Sequence, residues 1–537
     1  MTIEAKDEDD KVEVKLKDVN IDASRGSEAA VSVTGKGNTN IELDGDNELK
    51  SGAGHAGLEH NKTDTSGELT IQDKDNNGSL EAAGGFKGAG IGSAGSNDAQ
   101  VKITGGNITA TSDDWGAGIG SGSYGTGTVE ITGGEINATG GYLGAGIGGG
   151  CNGSGNVTIS GGTITAAGSD GAAGIGGGYY NGATVTITGD AVIKNASSTK
   201  YGAGIGGGNG SDGNVTISGN AKIENATGGY GAAGIGGGAF SSPDKIGNGN
   251  VVIKDNAKID NVQGGAYGAG IGGGIYGLSN VTIEGNTKVN ATGGAGGAAI
   301  GGGAGAENNS DNNGNQITIK SNENGSPTIN AVGGGTDEGE EIVIGGAGIG
   351  AGCESDADAD ITLEGKVTIT ATAGKDNVAI GANGIEQEFS GLAEGSSITR
   401  YDSEGNDTSL PGDKVPVTPV VPDDTSSGGS ADASVQESVF PGLVVTDKDG
   451  QRISYTSIRG NNVLSLRVGR FTASLHASLA TLRQLRAEGI DTITFQTILC
   501  STTLSVDELL AMGGEDTEVV LTHHIRSSTL TVGGKAV

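Results

Sequence analysis

Aromatic side chains are scarce among these 537 residues (one Trp, ten Tyr and six Phe), and their placement is strongly biased. Of the twelve that precede residue 400, eleven lie within five positions of an isoleucine in the recurring phrase Gly-Ala-Gly-Ile-Gly or a near copy of it. Phe86, Trp115, Tyr142, Tyr201, Tyr230 and Tyr267 come four or five positions before that isoleucine. Tyr124, Tyr179, Tyr180, Phe240 and Tyr276 come four or five after, and Phe389 alone falls outside the rule. Aromatic rings offer flat apolar faces to the C–H faces of sugars, while a phenol or indole keeps a polar tip for water. Trp115, Tyr124, Tyr142, Tyr179, Tyr180, Tyr201, Tyr230, Tyr267 and Tyr276 are therefore candidate carbohydrate-binding residues. The competing reading is structural: rings at equivalent corners cover the ends of a core and stiffen turns.

Residues suited to catalysis are harder to find. Removing a proton beside a uronate carboxyl group calls for a base such as arginine, with a cation to neutralise the acid. The only arginines before residue 434 are Arg25 and Arg400. Glycoside hydrolysis needs convergent carboxylates. Asp113-Asp114 beside Trp115 is the best candidate, but sequence neighbours point apart, and Asp98 and Asp170 are the remaining partners. His55 and His60 lie in a degenerate stretch, and no nucleophile elbow or phosphate loop is present. The reading is non-catalytic, with a polysaccharide lyase or hydrolase as the alternative. No motif demands a cofactor. Calcium is the metal an acidic, asparagine-rich surface would suit, with Asp356, Asp358 and Asp360 as candidate ligands.

The elements that must position the aromatics follow from the repeat. Its isoleucines fall at Ile91, Ile119, Ile147, Ile175, Ile205, Ile235, Ile271, Ile300, Ile349 and Ile380, about thirty residues apart, with longer insertions late in the chain. Between them come Val-x-Ile segments such as Val129-Glu130-Ile131 and Ile-x-Ala segments such as Ile136-Asn137-Ala138. Alternation of apolar and polar residues marks strands with one buried face, and stacked repeats make one continuous core. The fold expected is all-β: a parallel β-helix of about twelve three-stranded coils over residues 1–400. Residues 10–60 read as degenerate early coils, with His55-Ala56-Gly57-Leu58 standing in for the glycine phrase. If Ala117 and Ile119 point inward, Gly116, Gly118 and Gly120 face out. That predicts a glycine strip flanked by two aromatic stripes. Asn137, Asn195, Asn225, Asn261, Asn290 and Asn330 predict a stacked amide ladder.

Net charge is −33. From Val435 onward 9 basic side chains face 10 acidic ones, so the first 434 residues carry about −32. Such a rod repels nucleic acid and anionic membrane. Cys151, Cys353 and Cys500 are too few and too far apart for a disulfide framework or a zinc site. No apolar run reaches membrane-spanning length, and neither a secretory signal nor a surface anchor is read in the chain. The expectation is a segment of a secreted or cell-surface protein.

Prolines 411, 416, 419 and 422, then Ser426-Ser427-Gly428-Gly429-Ser430, define a linker over residues 401–434. Residues 435–537 read as a small α+β module. It has a helix from Thr472 to Glu488 presenting Leu475, Leu479, Leu482 and Leu485, a short helix from Val506 to Met512, and six strands.

The order Leu58, Leu69-Thr70-Ile71, Gly78-Ser79-Leu80 and Lys102-Ile103-Thr104-Gly105-Gly106-Asn107-Ile108 resembles a family of bacterial carbohydrate-binding β-helix proteins, over some 100–130 residues. The later Gly-Ala-Gly-Ile-Gly coils look like repeats in surface proteins of gut Firmicutes. The resemblance implies an exported binder of plant or cell-wall polysaccharide, related in fold to pectate lyases, with calcium as a family-level expectation. The alternative partner class is protein, contacted by a structural adhesin shaft.

Overall fold

In the computed structural model the chain forms two compact units, Met1–Val420 and Val421–Val537. The first is described at residues 1–239, 246–308, 314–336 and 344–416. The second is described at 442–536 apart from 449, 454, 461, 469, 471, 498, 499, 515, 516, 525 and 526. Phe240 and linker residues 417–434 lie outside the described residues.

The first unit is a parallel β-helix. Each coil contributes one strand to each of three stacks, as in Gly127–Ile131, Glu135–Thr139 and the two-residue Ile147–Gly148. Equal positions lie in register: Ile119 pairs with Ile147 and Ile147 with Ile175, as Val129 pairs with Val157 and Ile136 with Ile164. Apolar residues at every second position fill the interior, so one core runs from Ile3 to Ile398. Leu58 pairs with both Ile91 and Val31, which places the degenerate early repeats in the same stack. In the glycine-phrase stack thirteen strands run parallel among the described residues, before Ile385–Glu386 pairs back antiparallel. That is one coil more than the sequence count, because Thr2–Ala5 already forms a rung.

The expected outward glycine strip is not there. Gly116, Gly118 and Gly120 are all buried with Ala117 and Ile119. The phrase forms a tight arch that drives its isoleucine into the core, and its limbs are joined by a bond from the Ala117 N–H to the Ser121 carbonyl (3.0 Å). A Cβ on Gly118 would lie 2.7 Å from both the Gly146 carbonyl oxygen and the Thr139 nitrogen. Gly120 has φ +136°, and a Cβ there would sit 2.0 Å from the Gly148 oxygen. Close backbone approach, not an exposed face, explains the repeated glycines.

Residues 402–416, expected at the head of the linker, fold back on the last coil. Arg400 occupies the in-register position of Ala371 and is wholly buried. Its guanidinium donates to Asp413 (Nε to Oδ2 2.8 Å), Glu386 (2.5 Å) and the Gln387 carbonyl (2.8 Å).

The second unit has a five-stranded and a four-stranded sheet, mainly antiparallel, around its own core. The long helix is shorter than expected, Leu479–Ala487. Ala473–Ser478 is a strand that carries Leu475, and the Ser478 hydroxyl caps the helix by accepting from the Thr481 N–H. Ser501–Ser505 is a strand the sequence reading missed, and the short helix is Val506–Leu510.

Candidate functional site: a seam of aromatic turns

Each arch is entered and left through a turn, and the aromatics sit on these turns. The distinction between four and five residues from the isoleucine turns out to matter. Five before it stand Phe86, Asp114, Tyr142, Asp170, Lys200 and Tyr230. Four before it stand Lys87, Trp115, Leu143, Gly171, Tyr201, Gly231 and Tyr267, all with positive φ between 52° and 90°. The left-handed residue donates its N–H to the next coil's preceding position, as Trp115 does to the Tyr142 carbonyl (3.0 Å). On the exit side the left-handed position is five after the isoleucine. It holds Ser96, Tyr124, Asn152, Tyr180, Gly210, Tyr276 and Gly305.

Entry and exit turns do not flank an open floor; they meet. The N–H of Cys151 donates to the Trp115 carbonyl (2.7 Å), Tyr179 to Leu143 (3.1 Å), Ala239 to Tyr201 (2.7 Å) and Ala304 to Tyr267 (2.8 Å). This ladder roofs the glycine arches and merges the two expected stripes into one seam. Where Gly171 leaves a gap on the entry side, the Tyr179 ring crosses over it: a Cβ on Gly171 would lie 2.5 Å from that ring.

Exposure divides the candidates. Tyr124 (58%), Tyr142 (51%), Tyr230 (47%), Tyr276 (43%) and Phe86 (40%) stand out into solvent. Trp115, Tyr179, Tyr180, Tyr201 and Tyr267 are half-buried. Phe86 and Trp115 meet with centroids 5.3 Å apart at 42°. Tyr201 meets Tyr230 at 6.2 Å and 89°, and Tyr230 meets Tyr267 at 5.5 Å and 68°. Tyr179 and Tyr180 lie 3.9 Å apart and share a hydroxyl–hydroxyl bond of 2.9 Å. Burial, and then that bond, hold the Tyr179 phenol above its ordinary range. Lys87, which sequence reasoning did not single out, places its ammonium 5.2 Å from the Phe86 ring centroid and 5.1 Å from that of Trp115. The signal was its spacing, four before Ile91, in the turn position of Trp115.

Beside Trp115 the chemistry is unusual for a surface. The Asp114 Oδ1 and Ser123 Oγ atoms are buried without hydrogen-bond partners. Burial raises the Asp114 carboxyl above its ordinary value, and it pushes the Cys151 thiol up to about 11, with the Asp114 charge adding to the effect.

The carboxylates considered for hydrolysis are not gathered. Asp113 is exposed while Asp114 is half-buried. Asp98 accepts from the Thr126 N–H (2.6 Å), and Asp170 pairs with Lys200 (3.2 Å). Arg25 is exposed and Arg400 is locked in the end cap. His60 is buried, and that burial lowers its pKa. For calcium, Asp356, Asp358 and Asp360 are all exposed, and Asp358 is engaged by Asn308. No group of three or more His, Cys, Asp or Glu side chains that could hold a metal occurs among the described residues. These residues do not fit a calcium cage. The amide ladder is partial: Asn261 donates to Asn225 (3.1 Å), but Asn225 and Asn290 donate to backbone carbonyls. A second ladder, Asn286 to Asn256 to Asn220 to Asp190, runs nearby.

Four segments, 101–123, 129–151, 157–179 and 215–239, match the family model of a β-helix repeat. Each carries two strands, an arch and the start of an exit turn. The chain is a parallel β-helix repeat protein. No curated protein and no solved structure matches it. The matched repeats include Trp115, Tyr142, Tyr179 and Tyr230, so much of the seam is built on regular coils of this β-helix.

Proposed function

We propose that this β-helix is an exported, non-catalytic binder of polysaccharide, and that the aromatic seam is its binding surface. The observation that carries the reading is the pairing of exposure with backbone strain. Tyr124 and Tyr276 hold left-handed backbone (φ 65° and 61°), which costs about 1–2 kcal/mol for a residue with a Cβ. Glycine occupies the same turn position at Gly210 and Gly305. Each ring nevertheless keeps about half of its surface in solvent (58% and 43%), which leaves a flat face open to a ligand. Stacking on a sugar face is the use its chemistry suits.

The test is the double substitution Tyr124→Gly and Tyr276→Gly, read by polysaccharide pull-down and thermal melting. Each ring contributes about 0.5–1.5 kcal/mol to an aromatic contact, so retention should fall on the order of ten-fold. Relief of strain is opposed by the glycine's added chain entropy and by loss of the partly buried ring, so Tm should change little. A lower Tm with unchanged retention would instead support the structural shaft. That second reading draws on the edge-to-face series Tyr201–Tyr230–Tyr267, which braces three neighbouring turns.

A further inference from the structure

The seam also bears on which polysaccharide it takes, an inference that rests on the proposed glycan-binding role. Three features of the surface converge. The first is ring orientation. The ring pairs in contact meet at 42°, 43°, 68° and 89°, and none of these four is near parallel. A crystalline polysaccharide presents a flat sheet of sugar faces, and docking on it requires rings lying in one plane. Rings turned against one another fit instead a single chain whose successive sugars rotate about its axis.

The second feature is spacing. Phe86 and Tyr142 share one turn position two coils apart, and Tyr124 and Tyr180 share another two coils apart. Two coils span roughly 10 Å along the rod. That length is close to the disaccharide repeat of an extended β-1,4-linked chain, so such a chain lying along the rod meets equivalent rings one disaccharide apart at each of these two pairs.

The third feature is charge. The seam carries Asp113, Asp114 and Asp170 against Lys87 and Lys200, and Lys200 is already paired with Asp170 (3.2 Å). Its rod carries almost all of the net charge of −33. A polyuronate laid along it would meet like charge over its whole length. From these features we infer that the seam binds a single, uncharged, extended β-1,4-linked glycan chain, and neither a crystalline surface nor a polyuronate.

The experiment uses the full chain in affinity electrophoresis and pull-down with three probes: soluble glucomannan, microcrystalline cellulose and polygalacturonate. The Tyr124→Ala/Tyr142→Ala double variant runs beside it, and circular dichroism confirms that the variant is folded. The expected result is retention on glucomannan that the double variant loses. Polygalacturonate should be retained on the order of ten-fold more weakly at low salt, where screening is least, and cellulose not measurably. Seam-dependent retention on cellulose or polygalacturonate equal to that on glucomannan would overturn this inference while leaving the proposed function standing. Retention on none of the three, or retention on glucomannan that the folded double variant keeps, would remove the proposed function and the inference with it.

Discussion

Trp115 and Asp114 show how much a single turn in this molecule can hold. Trp115 takes left-handed backbone at φ 61°, and the Asp114 carboxyl beside it in the chain has a buried Oδ1 without a hydrogen-bond partner. Because burial raises the Asp114 pKa, the folded state holds its proton more tightly than the unfolded state does. The stabilising contribution of that proton is complete below the ordinary carboxyl value of 3.8 and is lost as pH rises from there through the folded pKa. Asp114→Asn removes this titration. Melting followed across that acid window should therefore show the wild type losing Tm relative to the variant as pH increases; parallel profiles would contradict the burial argument. Gly118 makes the opposite point about volume. A methyl group there would meet two backbone atoms at 2.7 Å, neither of which can swing away. Gly118→Ala should cost about 1–3 kcal/mol, as overpacking does elsewhere, and a melting series with exposed Gly335 as the control site would report it.

At the scale of elements, the coil was legible because its signal is repeated. Val-x-Ile and Ile-x-Ala segments alternate with period two in coil after coil, so register errors would expose the whole set at once. The phrase Gly-Ala-Gly-Ile-Gly was harder to read, since alternation implies that every second residue faces out. Here the chain instead bends back on itself, and both neighbours of Ile119 are buried against backbone. The two stripes misled for the same reason: turns that are separate in sequence bond to each other across the arch, as Cys151 does to Trp115. Which aromatics stand exposed was partly encoded on the entry side, where the aromatics five before the isoleucine (Phe86, Tyr142, Tyr230) point out and those four before it (Trp115, Tyr201, Tyr267) lie half-buried. In the second unit Ala473–Ser478 reads as helix because leucine spacing continues through it, yet it pairs with Leu443–Thr446 and Glu518–His524 as a strand. The end cap carries its own prediction. Asp413→Ala strips Arg400 of its bidentate partner while leaving the guanidinium buried, a loss of about 3–5 kcal/mol for a broken buried pair. Because each coil contacts only its neighbours, hydrogen exchange should rise first in Ser397–Tyr401 and least in the central coils.

The whole molecule pairs a rod of high negative charge with a unit of nearly balanced charge. Sequence composition alone shows the contrast: the first 434 residues carry about −32, and residues from Val435 onward hold 9 basic against 10 acidic side chains. Each unit has its own core, from Ile3 to Ile398 in one and from Leu443 to Val532 in the other. Self-repulsion of like charge destabilises a compact state. Stacking compounds this in the rod, because equivalent side chains of successive coils sit roughly 5 Å apart along it. Raising the salt concentration shortens the screening length from about 30 Å at 0.01 M to about 8 Å at 0.15 M. That change weakens repulsion between charges on different coils while leaving the apolar core untouched. Calorimetry of the full chain should then resolve two transitions: one climbing by several degrees between these salt concentrations, the other nearly stationary. Urea melting of the two units expressed apart would assign them. A salt-sensitive second unit with an indifferent rod would mean that the carboxylates of the rod are already neutralised locally, by pairs such as Lys15 with Asp44 (2.6 Å) and Lys102 with Glu130 (2.9 Å), and that the summed charge has little bearing on its stability.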